Sequence, residues 1–328
     1  IYGYGLMKIL VTGAAGFIGF HLCKLLLTNT SWQVLGIDSL NDYYSVDLKL
    51  DRLKILRLHK NFQFHAINIT DKSSLDELFR ANQFEIVYNL AAQAGVRYSI
   101  EQPYKYIDAN FIGFINLLEA CREHPVKHLI FASSSSVYGN SNADSFSESD
   151  VTDSPVSLYA ASKKSNEVMA HSYSALYGIP CTGLRFFTVY GPFGRPDMAY
   201  FKFSKKIVEN EAIELFNEGN LKRDFTYIDD IVEGMFRLMD CPPENPVPFD
   251  LFNIGNNKPV ELLHFVEVLE KELGKKTQKI LSPMQPGDVY KTYANIDKLH
   301  DKIGYVPTTS IETGLRKFVL WFQDYYRI

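Results

Sequence analysis

A short apolar run, Lys8 to Thr12, stops at Gly13, and from Phe17 to Asn29 apolar residues recur at helical spacing, with Ile18, Leu22, Leu25 and Leu26 expected on the buried side. The join is Gly13-Ala14-Ala15-Gly16-Phe17-Ile18-Gly19. Few folds accommodate a strand that turns on glycine directly into a helix. Gly13 and Gly16 permit a tight turn and close backbone approach to a pyrophosphate, and Gly19 lets the helix pack against its sheet. The helix start at Phe17 and Ile18 offers unpaired amides and a positive dipole end to phosphate. A second strand, Val34 to Ile37, ends at Asp38, 19 residues past Gly19. A carboxylate there accepts hydrogen bonds from adenosine ribose hydroxyls and repels a 2′-phosphate, which favours NAD over NADP. The competing reading makes Asp38 a turn residue before Ser39.

Further apolar runs occur at Phe62–Ile67, Ile86–Leu90, Leu129–Ala132, Thr182–Phe187 and Phe249–Ile254, with helical patterns at 105–123, 159–177 and Asp229–Met239. Strands alternating with helices predict an α/β fold, a doubly wound parallel sheet with helices on both faces. The pattern breaks near Thr188, where Gly and Pro cluster up to Pro196. An amphipathic helix is expected over 260–273, with Leu262, Leu263, Val266 and Leu269 in one stripe and Gly274 as its stop. With 328 residues and 46% hydrophobic content, the chain suits two domains. The dinucleotide-binding domain is expected at 7–187 and 227–257. A smaller, discontinuous α/β substrate domain takes 188–226 and 258–328.

A net charge of −4 without a basic run argues against nucleic acid as a partner. No apolar run approaches the roughly 20 residues of a membrane span. No secretory signal is evident ahead of Gly13, and Cys23, Cys121, Cys181 and Cys241 lack metal-ligand spacing. No metal and a cytoplasmic setting are the expectations. Residues 1–6 read as an extension before the first strand.

Tyr159-Ala160-Ala161-Ser162-Lys163 places a phenol and an ammonium on one helix face. A nearby ammonium favours phenolate, so Tyr159 is a candidate base for an alcohol or sugar hydroxyl. Phe131-Ala132-Ser133-Ser134-Ser135-Ser136-Val137-Tyr138-Gly139 lies at a predicted strand end, where ligands of parallel sheets bind. A serine there can hydrogen-bond the reacting oxygen, and Ser136, two residues past Ser134, shares its side if the backbone is extended.

The G-x-x-G-x-x-G spacing with Tyr-x-x-x-Lys resembles the extended short-chain dehydrogenase/reductase family, from Met7 onward. The resemblance implies a Rossmann-type domain holding NAD, with Ser134, Tyr159 and Lys163 catalytic. It places Asn41, Asn68, Ile69, Leu90, Ala91, Ala92 and Asn110 near the cofactor, with Tyr159 and Lys163. Dehydrating relatives carry an Asp-Glu pair where this chain has Ser135 and Ser136, and neither serine titrates near neutrality. Decarboxylating relatives carry a Glu in this segment that is also missing. Return of the hydride to the opposite face, an epimerisation, is the simplest remaining fate.

Three stretches resemble the branch of the nucleotide-sugar epimerases that works on UDP-glucuronate: Asp38 to Tyr44, Ala91 to Ser99 with Arg97, and Arg185 to Ala199 with Thr188 and Arg195. In that branch the position of Arg195 faces the sugar carboxylate, which a guanidinium reads bidentately. A salt bridge to Asp197 is the alternative role for Arg195. Ser135, Ser136 and Thr188 are implied hydroxyl contacts, Phe216 a uracil platform, Arg223 a diphosphate anchor and Asp288 a ribose contact. The resemblance also implies a homodimer through helices 105–123 and 159–177, with Phe114, Leu117, Val168 and Tyr173 contributing, although core packing explains the same residues. Two rivals stand: a 4-epimerase of neutral or N-acetylated UDP-hexoses, and a catalytically silent NAD sensor.

Overall fold

The computed structural model describes residues 7–141, 143–284 and 291–328. Asp288 therefore lies outside the described residues.

Seven parallel strands form the main sheet, in the order Phe249–Ile254, Cys181–Phe186, His128–Ser134, Ile86–Asn89, Lys8–Thr12, Gln33–Ile37, Phe62–His65. The five inner strands are buried almost throughout because both faces are covered, while the edge strand Phe62–His65 alternates. Their side chains alternate between two cores. Ile9, Val11, Tyr88, Ile130 and Leu184 pack on one face, and Leu10, Val87, Leu129, Phe131 and Cys181 on the other. Strand order reverses between Lys8–Thr12 and Ile86–Asn89, so a crevice opens beyond their carboxyl ends.

Two smaller sheets lie against one side. Thr188–Tyr190, Lys222–Tyr227 and Pro259–Glu261 form one, and Ile213–Phe216 pairs with Lys279–Ser282 in the other. The first core runs without interruption from Ile9 through these sheets to Phe322 in the helix Ile311–Tyr326. The two parts of the chain thus share one apolar interior.

Several expectations change. In the helix Phe17–Asn29, Ile18 and Leu25 are only partly buried, and Phe17, Phe20, Cys23 and Leu27 join Leu22 and Leu26 in the core. The later helix starts at Leu262, which turns Leu263 outward (37% exposed) and puts Phe265 in the stripe. Segment 105–123 is not one regular helix: Pro103–Tyr106 is followed by a wider π turn, Ile107–Ile112, before Gly113–Glu123. Phe114 and Leu117 are buried inside the chain at 1% and 0% exposure, so they cannot contribute to a dimer surface.

Candidate functional site

One cleft of about 1130 Å³ runs from the reversal of the main sheet to the smaller sheets. This volume exceeds the roughly 300–1,000 Å³ of a single-ligand pocket, as a site for two ligands requires. Its floor is the glycine loop. Gly13 has φ +71°, and a Cβ there would lie 2.8 Å from the Ala91 nitrogen; one on Gly19 would lie 2.1 Å from the Gly13 carbonyl oxygen. Only glycine fits either position. The helix Phe17–Asn29 has no side-chain cap, which leaves its first amides open to an anion. Asp38 is both turn residue and acceptor: Oδ1 accepts the Leu40 amide at 2.8 Å and Oδ2 the Ala15 amide at 3.2 Å. Each oxygen keeps a lone pair for a hydroxyl. These features fit a dinucleotide. Gly16, Phe17, Ile18, Asn41, Asn68, Ile69, Leu90, Ala91 and Ala92 line the same half.

Asn110 does not line the cleft. Its side chain exchanges hydrogen bonds with the Gln93 backbone at 2.8 and 3.0 Å and donates to the Ser162 hydroxyl at 2.8 Å, and Ser162 donates to the Tyr159 carbonyl at 2.7 Å. The π turn carries Asn110 behind the wall, where it clamps the 89–93 segment to the Tyr159 helix. A sequence period of 3.6 residues does not foresee that rotation.

Ser134, Tyr159 and Lys163 converge at the middle of the cleft. Ser134 ends its strand and caps the short 3₁₀ turn Ser135–Tyr138, accepting the Ser136 amide at 3.2 Å. Ser136 is thus brought beside Ser134 by a turn, with the hydroxyls 3.2 Å apart, and not by extended backbone. Burial pushes the Tyr159 phenol above its ordinary value, while the Ser134 hydroxyl and the Arg195 charge oppose the shift. Lys163 donates to the Ala132 carbonyl at 3.0 Å, and burial brings its ammonium down to about 8. Lys163 does not figure among the groups that shift Tyr159, and one of its three N–H bonds goes to the Ala132 carbonyl. Beneath them Glu167 and Arg185 form a buried pair, with Ser133 donating to Glu167 at 2.7 Å.

At the far end, Thr188, Ser135, Ser136 and Arg195 face the same space. Arg195 holds Asp197 through Nε–Oδ1 at 3.0 Å and Nη2–Oδ2 at 2.5 Å, so the alternative salt bridge does form. Tyr43 crosses the cleft to donate to Asp197 at 3.1 Å. Phe216 and Arg223 line the outer end, and the Arg97 guanidinium lies 5.2 Å from the Phe216 ring centre. The neighbouring Asp224 is fully buried. It accepts the Asn256, Asn257 and Ala294 amides at 2.6, 3.0 and 3.1 Å, which fixes the Arg223 backbone.

Sequence reasoning named Asp197 only as a partner of Arg195 and gave Tyr43 no role of its own. Tyr43 and Asp197 lie inside stretches already singled out, but contacts between distant loops leave no local signal. Among the described residues no cluster could hold a metal ion, and no helix is long and apolar enough to cross a membrane.

The glycine loop, Asp38 and the two-ligand cleft define a dinucleotide-binding α/β protein with a second ligand site. The chain belongs to the NAD dependent epimerase/dehydratase family, which it matches over residues 9–255. It is 53% identical to Protein CapI of Staphylococcus aureus over 335 residues, covering 98% of this chain and 100% of that protein. It is 45% identical to the probable UDP-glucuronate 4-epimerase of Rhizobium meliloti (strain 1021) over 336 residues, 98% of each. Among solved structures, UDP-glucuronic acid 4-epimerase from Bacillus cereus, in complex with UDP-glucuronic acid and NAD, superposes with a TM-score of 0.91 at 36% identity, covering 98% of this chain and 100% of that one.

Proposed function

We propose that the chain is an NAD-dependent 4-epimerase converting UDP-glucuronate to UDP-galacturonate. The observation that carries the reading is the placement of Arg195 in the same cleft as Tyr159, beside a 135–136 segment with no acid. Relatives whose names specify UDP-glucuronate support it. NAD fits the glycine-loop half, where its nicotinamide takes a hydride from C4 and later returns it. The residues proposed to touch it are those of the glycine loop, Asp38, Asn41, Asn68, Ile69 and Leu90 to Ala92, with Tyr159 and Lys163.

Tyr159 takes the C4 hydroxyl proton, and Ser134 holds that oxygen as it becomes a carbonyl. Tyr159 must be ionised to take that proton; burial raises its phenol in the ligand-free chain, and the Ser134 hydroxyl and the Arg195 charge favour the phenolate. The 4-keto sugar then rotates to present its other face. A C4 ketone makes the uronate a β-keto acid, which loses carbon dioxide when the breaking bond overlaps the carbonyl. Arg195, Thr188 and Ser136 hold the carboxylate near the carbonyl plane, where overlap is poor. Phe216, Arg223 and Arg97 take the uridine diphosphate, with Asp288 at its ribose. Phe216 and Arg223 line one half of the cleft, which supports a substrate domain of 188–226 and 258–328 against a dinucleotide domain of 7–187 and 227–257, the latter contributing Arg97.

Incubating the purified chain with UDP-glucuronate and separating the products tests the reading: UDP-galacturonate is expected. Turnover of UDP-glucose alone supports the neutral-hexose reading, which the existing Arg195–Asp197 pair favours, since the guanidinium already has a carboxylate. Bound NAD without turnover of either supports the sensor. We also assign a homodimer to the exposed apolar residues Ile107, Val168 and Leu176, 38–69% exposed; Val168→Glu with Leu176→Glu should give a monomer in light scattering. Four free cysteines, three of them buried, suit the reducing cytoplasm.

A further inference from the structure

The helix Val46–Leu56 buries two cations, Lys49 and Arg52, on the face it shares with Leu48, Leu53 and Leu56. Lys49 has a local reason: it donates to the Asn41 carbonyl at 2.7 Å and to its side chain at 2.9 Å, at the cleft wall. Arg52 is fully buried and bonds only neutral oxygens. Nη1 donates to the Ala15 carbonyl at 2.7 Å and the Tyr44 hydroxyl at 2.8 Å. Nη2 donates to the Phe193 carbonyl at 2.6 Å and the Gly194 carbonyl at 3.3 Å. Nε is buried without an acceptor. Burying a guanidinium without a carboxylate costs several kcal/mol, and apolar replacements of similar volume are often better tolerated. Core stability therefore does not account for this residue.

Its partners do. Ala15 belongs to the glycine loop, and its amide is held by Asp38. Phe193 and Gly194 immediately precede Arg195. The same loop is gripped again one residue earlier, where His21, on the helix that opens the glycine loop, meets the Pro192 carbonyl at 2.9 Å through Nε2. Burial brings that imidazole down to about 3, so it is neutral and Nε2 carries the proton. Phe193 sits at φ +55°, an uncommon conformation for a bulky residue, with its ring packed on Phe20 and Trp321.

We infer that Arg52 is a positioning residue that couples the two halves of the site: it ties the carbonyl of the dinucleotide-binding turn to the carbonyls that aim Arg195. Any shift of the Ala15 turn on binding a pyrophosphate then moves Arg195, and an ordered turn presents an ordered guanidinium to the second ligand. Arg52 touches neither ligand. The inference rests on the nucleotide-sugar reading only for the choice of probe.

The test is a binding cycle on the full chain freed of dinucleotide, with ADP as the probe because it fills the turn without reaching the sugar. UDP-glucuronate is titrated calorimetrically with and without saturating ADP, in the unaltered chain, Arg52→Met and Arg52→Lys. Coupling of this kind is typically at least about fivefold in affinity. ADP is expected to tighten UDP-glucuronate binding by about that factor in the unaltered chain, by less in Arg52→Lys, and not at all in Arg52→Met. A purely structural role would lower the melting temperature of both variants and leave the ADP effect intact, and that result overturns the inference. So does an unaltered chain in which ADP has no effect. If Arg52→Met fails to fold, an undiminished ADP effect in Arg52→Lys overturns it as well. Arg52-dependent coupling in a chain that does not turn over UDP-glucuronate refutes the epimerase reading and leaves this one standing.

Discussion

Arg195 grips Asp197 with two hydrogen bonds, and the Tyr43 hydroxyl closes the group from across the cleft. The uronate carboxylate must therefore enter beside an existing carboxylate. In the proposed role Arg195 meets it with N–H bonds that Asp197 does not take, since a guanidinium has five and Asp197 takes two. Arginine can serve both anions where lysine, a point charge, has no fixed fork to share between them.

Replacing Arg195 by His shortens the reach and gives up the fork. Epimerisation should fall by about 100-fold, in the range seen when one donor to a developing charge is lost. The carboxylate is then free to rotate out of the carbonyl plane, so a UDP-pentose product should appear. Chromatography of the nucleotide sugars reads both effects. An unchanged product ratio would refute the role given to Arg195.

Asp197→Asn leaves the fork in place but removes a like charge. The Asp197 charge also raises the Tyr159 phenol, so its loss favours ionisation. The apparent KM for UDP-glucuronate should drop about fivefold, equivalent to about 1 kcal/mol. The acidic limb set by Tyr159, which must be ionised to act as the base, should move to lower pH. UDP-glucose, which lacks the charge, should show no KM change. A steady-state series over pH with both substrates measures this; equal KM changes for the two substrates would contradict it.

Lys163 is buried with a carbonyl as its partner, and its ammonium titrates at about 8 against an ordinary 10.5. Between these values the unfolded chain binds a proton that the folded chain has released. Stability of the ligand-free protein should therefore rise with pH from about 8 to about 10.5 as far as this group is concerned. At pH 7 the buried charge is a cost, so Lys163→Met should stabilise the ligand-free chain by roughly 1–3 kcal/mol while abolishing turnover. Thermal melts across pH 7–10 on both proteins check the sign. A less stable Lys163→Met at pH 7 would mean that the lysine contributes more through Ala132 than its burial costs.

The main sheet was legible because its strands are apolar on both faces and end in glycine or polar residues, a pattern that tertiary packing reinforces. The glycine loop was legible for a related reason, since Gly13 and Gly19 stand where no Cβ fits. Asn110, which the resemblance puts near the cofactor, stands behind the cleft wall, where one wide turn between Tyr106 and Gly113 carries it, and no local composition announces such a turn. Phe114 and Leu117 were ambiguous because an amphipathic pattern shows which side is apolar and not whether that side meets the same chain or another. Arg52 and His21 were overlooked because polar side chains are normally solvated, and a buried one is recognisable only when its carbonyl partners, more than a hundred residues away at Phe193 and Pro192, are in view.

The Glu167–Arg185 pair offers a last test, of how the catalytic helix is held. Both side chains are 2% exposed, and Arg185 reaches Glu167 through Nε at 2.8 Å and Nη2 at 2.9 Å while donating to the Tyr138 hydroxyl at 2.9 Å. Glu167 lies one turn beyond Lys163 and also accepts from Ser133, the neighbour of Ser134. The helix of Tyr159 and Lys163, the strand of Ser134 and the strand of Arg185 thus meet at one carboxylate. Glu167→Ala strands the guanidinium in the interior and should cost about 3–5 kcal/mol. Glu167→Gln retains one acceptor and should lose less. If the pair serves only stability, folded Glu167→Gln keeps its kcat. If it aims Ser134 and Tyr159, kcat falls by about tenfold or more while KM holds, because the lost interaction is one felt in the transition state. Urea denaturation and steady-state kinetics on the same preparation separate the two, and we expect the fall in kcat.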